Sequence, residues 1–271
     1  MSIVTSTDQP GIAQQLTQLL DSLPADASVA TRVAQMASDD LVRVDQIVSV
    51  IRQDETLAVR LMRLANSAYY GMDHRVQNFE FAVQLVGFQA VRSMALRTVV
   101  ESQQGVEPTP SWMRMRSARQ AAAARELAEV LDVPVPDAFA MGLLADLGAV
   151  LLWQVDRKFY LRAVKDAAGD RDAMLAAQRE HYGLDQDQAG AKAFVAWTLP
   201  PTMVQALQYP PTPAAPVFVR LLALSRHLAS DDLAELSPEV NALTGNRLTA
   251  ERWAQMYERV SNAAFEIARE W

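Results

Sequence analysis

The chain has no cysteine among its 271 residues. That absence excludes thiol nucleophiles, iron–sulfur clusters, zinc-finger cages and any disulfide framework. Histidine is scarce as well. His74, His181 and His227 are the three present, and their wide separation leaves little from which to build a histidine-rich metal site. No uninterrupted apolar run reaches the roughly 20 residues that span a bilayer. The longest, Ala138 to Trp153, carries Asp146 at its middle and is expected to form a buried helix of a soluble protein with no membrane partner. No signal-peptide pattern follows Met1, so a cytoplasmic location is expected. There is no glycine-rich phosphate loop, no Ser-His-Asp order and no convincing carboxylate dyad, and nucleophilic or nucleotide-hydrolysing catalysis gains no positive support.

What the chain does contain is ordinary for a folded protein. Half of the residues are hydrophobic, 7% are aromatic and 21% are charged, which excludes disorder for most of the length. This is enough chain for one large domain or for two lobes of about 100–150 residues, each with its own core. The formal charge of −7 argues against broad binding to nucleic acid or anionic membrane, which needs a positive field. That average hides an asymmetry. Between Leu57 and Arg125 stand nine arginines (Arg60, Arg63, Arg75, Arg92, Arg97, Arg114, Arg116, Arg119, Arg125) against Asp73, Glu80, Glu101 and Glu107.

Apolar residues recur at helical spacing nearly throughout, and no segment alternates at period two long enough for a strand. The expected fold class is all-α. Ser28 reads as the N-cap of a helix through Met36, and Val44 to Ile51 gives another apolar face. Asp54 reads as the N-cap of a strong helix whose stripe is Leu57, Leu61, Leu64, Ala65 and Ala68, with Gly71 placed to end it. Asn78 caps Phe79 to Leu85. After Gly87 a helix resumes through Val100 with Phe88, Val91, Ala95 and Val99 on one face. Such short helices with tight breaks predict a compact, angled bundle. Gln103 to Pro110 is the expected junction between an N-terminal lobe (1–105) and a C-terminal lobe (106–271). Further helices are expected over Ser111–Leu131, Phe159–Ala168, Arg171–Tyr182, Asp185–Trp197, Val217–Leu228 and Thr249–Trp271, with a short one opened by Pro200 and Pro201. YPPTPAAP at Tyr209–Pro216 is expected as a surface loop.

The segment DETLAVRLMRLANSAYYG, Asp54 to Gly71, resembles the signature of the HDOD family, bacterial proteins related to the HD phosphohydrolases. Asn78–Leu96, Ala138–Leu152 and Glu180–Pro200 follow in the family's order, so the resemblance covers about Leu23 to His227. It implies a two-lobed bundle of about a dozen helices whose C-terminal lobe is HD-like. The two lobes would form one domain over about 20–230 with a helical extension. It also implies a role in bacterial signalling, often touching motility, biofilm or stress responses, without a settled catalytic activity.

HD enzymes hold metal with a histidine, an adjacent His-Asp pair and later histidines and aspartate, because imidazole and carboxylate together bind a cation that activates water. Here the resemblance places Ala145 where that pair has histidine and leaves Asp146. The upstream histidine falls near Arg116 or Ser117, a later one at Gln186, and the late Ala-Asp pair at Leu224 and Ser225. No metal, no cofactor and no catalytic residue is therefore expected. Asp146 reads either as a relic ligand or as one half of a structural ion pair with an arginine of the preceding helix. His181 beside Glu180 reads as half of an acid–base pair or as a helix-end histidine packed under Tyr182.

Arg60, Arg63 and Ser67 share a flank of the signature helix. With Tyr69, Tyr70, Arg92 and Arg97 they form a candidate interaction surface, or else they pair within the molecule. The expected function is that of a noncatalytic signalling adaptor contacting other signalling proteins. Two alternatives are a divergent metal-dependent phosphohydrolase built on Asp146, and a module that binds an anionic ligand, nucleotide messenger or nucleic acid, on the arginine-rich span.

Overall fold

The computed structural model of the chain describes residues 14–15, 17–19, 29–37, 41–67, 70–71, 76–101, 108–230 and 235–269. Among these residues there are helices and no strand, and the all-α expectation holds. The N-terminal part comprises α1 (Val29–Met36), α2 (Val44–Ile51), α3 (Glu55–Asn66), α4 (Phe79–Val86) and α5 (Phe88–Glu101). Local chemistry sets their starts. Asp54 accepts a hydrogen bond from the Leu57 amide and Asn78 one from the Phe81 amide, as capping residues do. The stripe Leu57, Leu61, Leu64 and Ala65 is buried, while Ser28, Ala68 and the junction residues 102–107 lie outside the described residues.

Two expectations are corrected here. α3 ends at Asn66, not at Gly71, because the Asn66 side chain turns to the backbone of Val76, donating to its carbonyl and accepting from its amide at 2.8 Å each. Gly71 does adopt a left-handed φ of 68°, but beyond the helix. The second correction concerns α5. Every residue from Ala90 to Val100 is buried, so the helix has no solvent face, because α1 packs on one side of it and the long apolar segment that follows packs on another.

The rest of the chain forms α6 (Ser111–Ala128), α7 (Val135–Leu144), α8 (Leu147–Val155), α9 (Arg157–Ala167), α10 (Arg171–Tyr182), α11 (Gln186–Ala196), α12 (Pro201–Gln208), α13 (Val217–Leu228), α14 (Pro238–Leu243) and α15 (Ala250–Arg269). The six-residue α14, opened by a Ser237 cap and Pro238, carries no apolar period to announce it. α6 is the hub. Its alanine run, Ala121 to Ala124, is fully buried and lets α7, α13 and α15 approach closely. Val135–Val155 is long and apolar enough by composition to cross a membrane, yet 89% of its most apolar window is buried inside the fold. It is not one helix over Ala138–Trp153. It breaks at Ala145 and Asp146 into α7 and α8, and the break delivers the Asp146 side chain to the interior between α6 and α8.

Candidate functional site

The break between α7 and α8 places one carboxylate where the surrounding helices converge. Asp146 has a side chain 1% exposed. An isolated charge there costs several kcal/mol, so it must find partners. Arg116 and Gln120, one turn apart on α6, supply them. Arg116 Nε donates to Asp146 Oδ2 at 2.5 Å, and Gln120 Nε2 donates to the same oxygen at 2.8 Å. The ion-pair reading of Asp146 is therefore the one the geometry realises.

A second lattice stands beside the first. Asp187, in the first turn of α11, is held by Arg171 Nη2 at 2.7 Å to each oxygen. Arg226, in the last turn of α13, adds a two-pronged grip with Nη2 at 2.7 Å and Nη1 at 3.2 Å. Both helix ends suit their charges, a carboxylate at an N-terminus and a guanidinium at a C-terminus. Gln186 lies buried between the lattices, accepting from the Tyr160 hydroxyl at 3.0 Å and from Gln178 Nε2 at 3.2 Å. α8 reaches α11 closely because Gly148 lies against the Gln186 carbonyl and the Gly190 amide.

Burial pushes the Asp146 carboxyl up, but the charges of Arg116, Arg226 and Arg171 reverse this and hold it below the usual carboxylate range. Asp187 behaves alike, with burial overcome by Arg226 and Arg171. A carboxyl whose folded-state pKa lies below its unfolded value binds fewer protons when folded. Its contribution is thus complete above about pH 5 and is lost as pH falls through about 4 and below. Thermal melts are expected to show Tm falling steadily over that acid range, with a shallower fall in Asp187→Asn. An unchanged slope in that variant would contradict the assignment.

This donor set does not fit a divalent cation. Asp146 has Oδ2 engaged by two donors and Oδ1 without a partner among the described residues, and the nearest charges are guanidinium groups that repel a metal. Among the described residues no group of three or more His, Asp or Glu side chains could hold one. Of the positions the resemblance matched to HD ligands, Arg116, Asp146 and Gln186 come together, and Gln186 and Arg116 line the same cavity. Ser225 is buried and donates to the Leu222 carbonyl, while its neighbour Arg226 reaches the site. His181 lies elsewhere, stacked on Phe159 at 3.7 Å between ring centroids, edge-on to Tyr182 and 3.1 Å from Asp156.

The expected interaction surface is corrected. Arg92 is buried and donates to the carbonyls of Trp197 (2.7 Å) and Thr198 (3.3 Å), stapling α5 to the end of α11. Arg97 is buried and joins Glu101 (2.9 Å) and the Leu143 carbonyl (3.3 Å). Arg60 donates to Thr98 Oγ1 at 2.9 Å and lies 3.5 Å from Glu101. Ser67 is buried against the Leu64 carbonyl. Tyr70 packs edge-on against Phe139 beneath Arg125, and burial raises its hydroxyl pKa. Tyr69 lies outside the described residues, and Arg63 remains exposed. Of these, Arg60 ties α3 to α5, and Arg92 and Arg97 tie α5 to the later helices. The physical reason is the burial of α5 from Ala90 to Val100, which turns its two arginines into internal donors to backbone carbonyls.

Sequence reasoning did not single out Arg171, Asp187 or Arg226. One signal was available: Arg226 directly follows the Leu224–Ser225 position matched to the late Ala-Asp pair.

Solved structures share this architecture. A protein from Shewanella amazonensis SB2B, named as a candidate phosphohydrolase, superposes with a TM-score of 0.73 at 21% identity over 94% of this chain and 97% of its own. One from Marinobacter aquaeolei VT8, named as a candidate signal transduction protein, gives 0.70 at 21% identity over 98% of this chain and 62% of its own. A curated relative from Treponema pallidum (strain Nichols), described as an uncharacterized protein, is 21% identical over 212 residues. That match takes in 77% of this chain and 41% of the relative, so the chain spans less than half of that relative's length. The HDOD domain family matches residues 23–213, most of the chain, and the chain belongs to that family.

Proposed function

We propose that this HDOD protein is a cytoplasmic, noncatalytic regulator of signal transduction that works by contact with other signalling proteins, in a process such as motility, biofilm or stress control. One observation carries the reading. The carboxylate that remains of an HD-type site is bound to Arg116 and Gln120, so it is a structural anchor and not a ligand waiting for a metal. Hydrolysis by the HD route needs a cation-activated water, and guanidinium groups supply positive charge but cannot generate that nucleophile. The Marinobacter relative's name points the same way in general terms.

The reading is tested by affinity capture from extract of the source cells with the purified chain as bait. A specific, saturable partner is expected. Arg63→Glu, on the exposed flank of α3, is expected to weaken its recovery several-fold. Failure to recover any specific partner across growth conditions would sink the adaptor role.

A further inference from the structure

Arginines of the two lattices line a cavity of about 470 Å³. That size falls within the roughly 300–1,000 Å³ of small-molecule sites. Its lining divides by chemistry. Arg116, Arg119, Arg171 and Arg226 contribute positive charge, and Met115, Val164, Met174 and Trp112 contribute apolar surface. Trp112 is 38% exposed and has the Arg116 guanidinium 5.4 Å from its ring centroid, so an aromatic platform stands next to a cation.

The charge balance favours an anion. Four arginines line it against one carboxylate, Asp170, which caps α10 through the Ala173 amide, while Asp146 and Asp187 are already held by Arg116 and by Arg171 with Arg226, and Arg119 donates to the Ser230 carbonyl. Hydrogen-bonding capacity is also left over: the donors Arg116 Nη2 and Arg226 Nε, and the acceptors Asp146 Oδ1 and Gln120 Oε1, have no partner among the described residues. Unsatisfied buried donors are costly, and a ligand oxygen is one means of satisfying them. Arg171, 37% exposed at its side chain, provides a cation that an entering ligand meets directly.

We infer that this cavity is a binding site for a nucleoside phosphate, with the phosphate on the arginines and the base against Trp112. The phosphate would receive charge-assisted hydrogen bonds, and the base would gain stacking area on the indole. In this arrangement the ligand bridges α6, α10 and α13, so its binding stabilises their mutual packing and can bias how the chain meets a partner. The inference rests on the noncatalytic reading in one respect, that the bound nucleotide is retained and not consumed.

The test is isothermal titration of the full chain with AMP and GMP, alongside inorganic phosphate and adenosine. At least one nucleotide is expected to bind saturably, at least tenfold more tightly than phosphate or adenosine, with affinity falling as salt rises. Arg171→Gln leaves Arg226 to hold Asp187 and is expected to lower nucleotide affinity tenfold or more. Trp112→Leu, a surface change, is expected to reduce nucleotide affinity towards that of phosphate, with circular dichroism confirming that both variants fold. Absence of saturable binding by both nucleotides, or equal binding of phosphate and nucleotide, would overturn the site and leave the noncatalytic reading standing. Phosphate release from a bound nucleotide would place the ligand in the site and contradict the noncatalytic reading instead.

Discussion

Arg116→Leu is expected to destabilise the protein by about 3–5 kcal/mol, the loss typical when one partner of a buried ion pair is removed. The cause is the carboxylate left behind. Asp146 is sealed from solvent at the α7–α8 break, and after the change Gln120 is the one donor among the described residues still bonded to it. The double variant Arg116→Leu with Asp146→Asn removes the charge while keeping an acceptor for Gln120, and it is expected to regain most of the loss. Urea melts of the two single variants and the double, combined as a thermodynamic cycle, measure this coupling. Additive effects in the cycle would mean that the pair contributes nothing beyond its two separate side chains.

The second large effect is expected at Gly148. A Cβ there would collide with the Gln186 carbonyl and lie 2.5 Å from the Gly190 amide nitrogen, both backbone atoms that cannot swing aside. Gly148→Ala is expected to cost about 3 kcal/mol, at the upper end of overpacking, or to leave the chain unfolded. Gly169→Ala is the control. Gly169 has a φ of 93° and nothing within 4 Å of an added Cβ, so backbone strain alone acts and the expected cost is about 1–2 kcal/mol. Thermal melts of the two variants separate close approach from strain. Equal losses would contradict the tight contact between α8 and α11.

The parts of this fold legible in the sequence are those with a local cause. Asp54 and Asn78 each cap the helix that begins one residue later, because a short acceptor side chain can reach an amide two or three residues on without help from the rest of the molecule. The partner of Asp146 was legible for a related reason, since a charge inside an apolar stretch demands a counter-charge and α6 is rich in arginine. Arg92 and Arg97 were not. Their helix has a polar-looking flank, and the donors are drawn inward by carbonyls of Trp197 and Leu143, far away in sequence. Arg171, Asp187 and Arg226 read singly as solvated charges at helix ends. Only the convergence of α10, α11 and α13 gives them a common place.

That convergence gives an HD-like bundle a set of internal ion pairs between its helices. Guanidinium groups join the helices here, linking Asp146 to α6 and Asp187 to α10 and α13. On the noncatalytic reading proposed above, the fold keeps its core and a cavity without a cation to activate water.

The most direct measurement of this claim is the metal content of the native protein by elemental mass spectrometry, with phosphomonoesterase and phosphodiesterase assays on the same sample in added Mn²⁺, Mg²⁺ and Zn²⁺. The account predicts no stoichiometric metal and no turnover. About one tightly bound ion per chain, with turnover abolished by Asp146→Ala, would contradict it and restore the hydrolase.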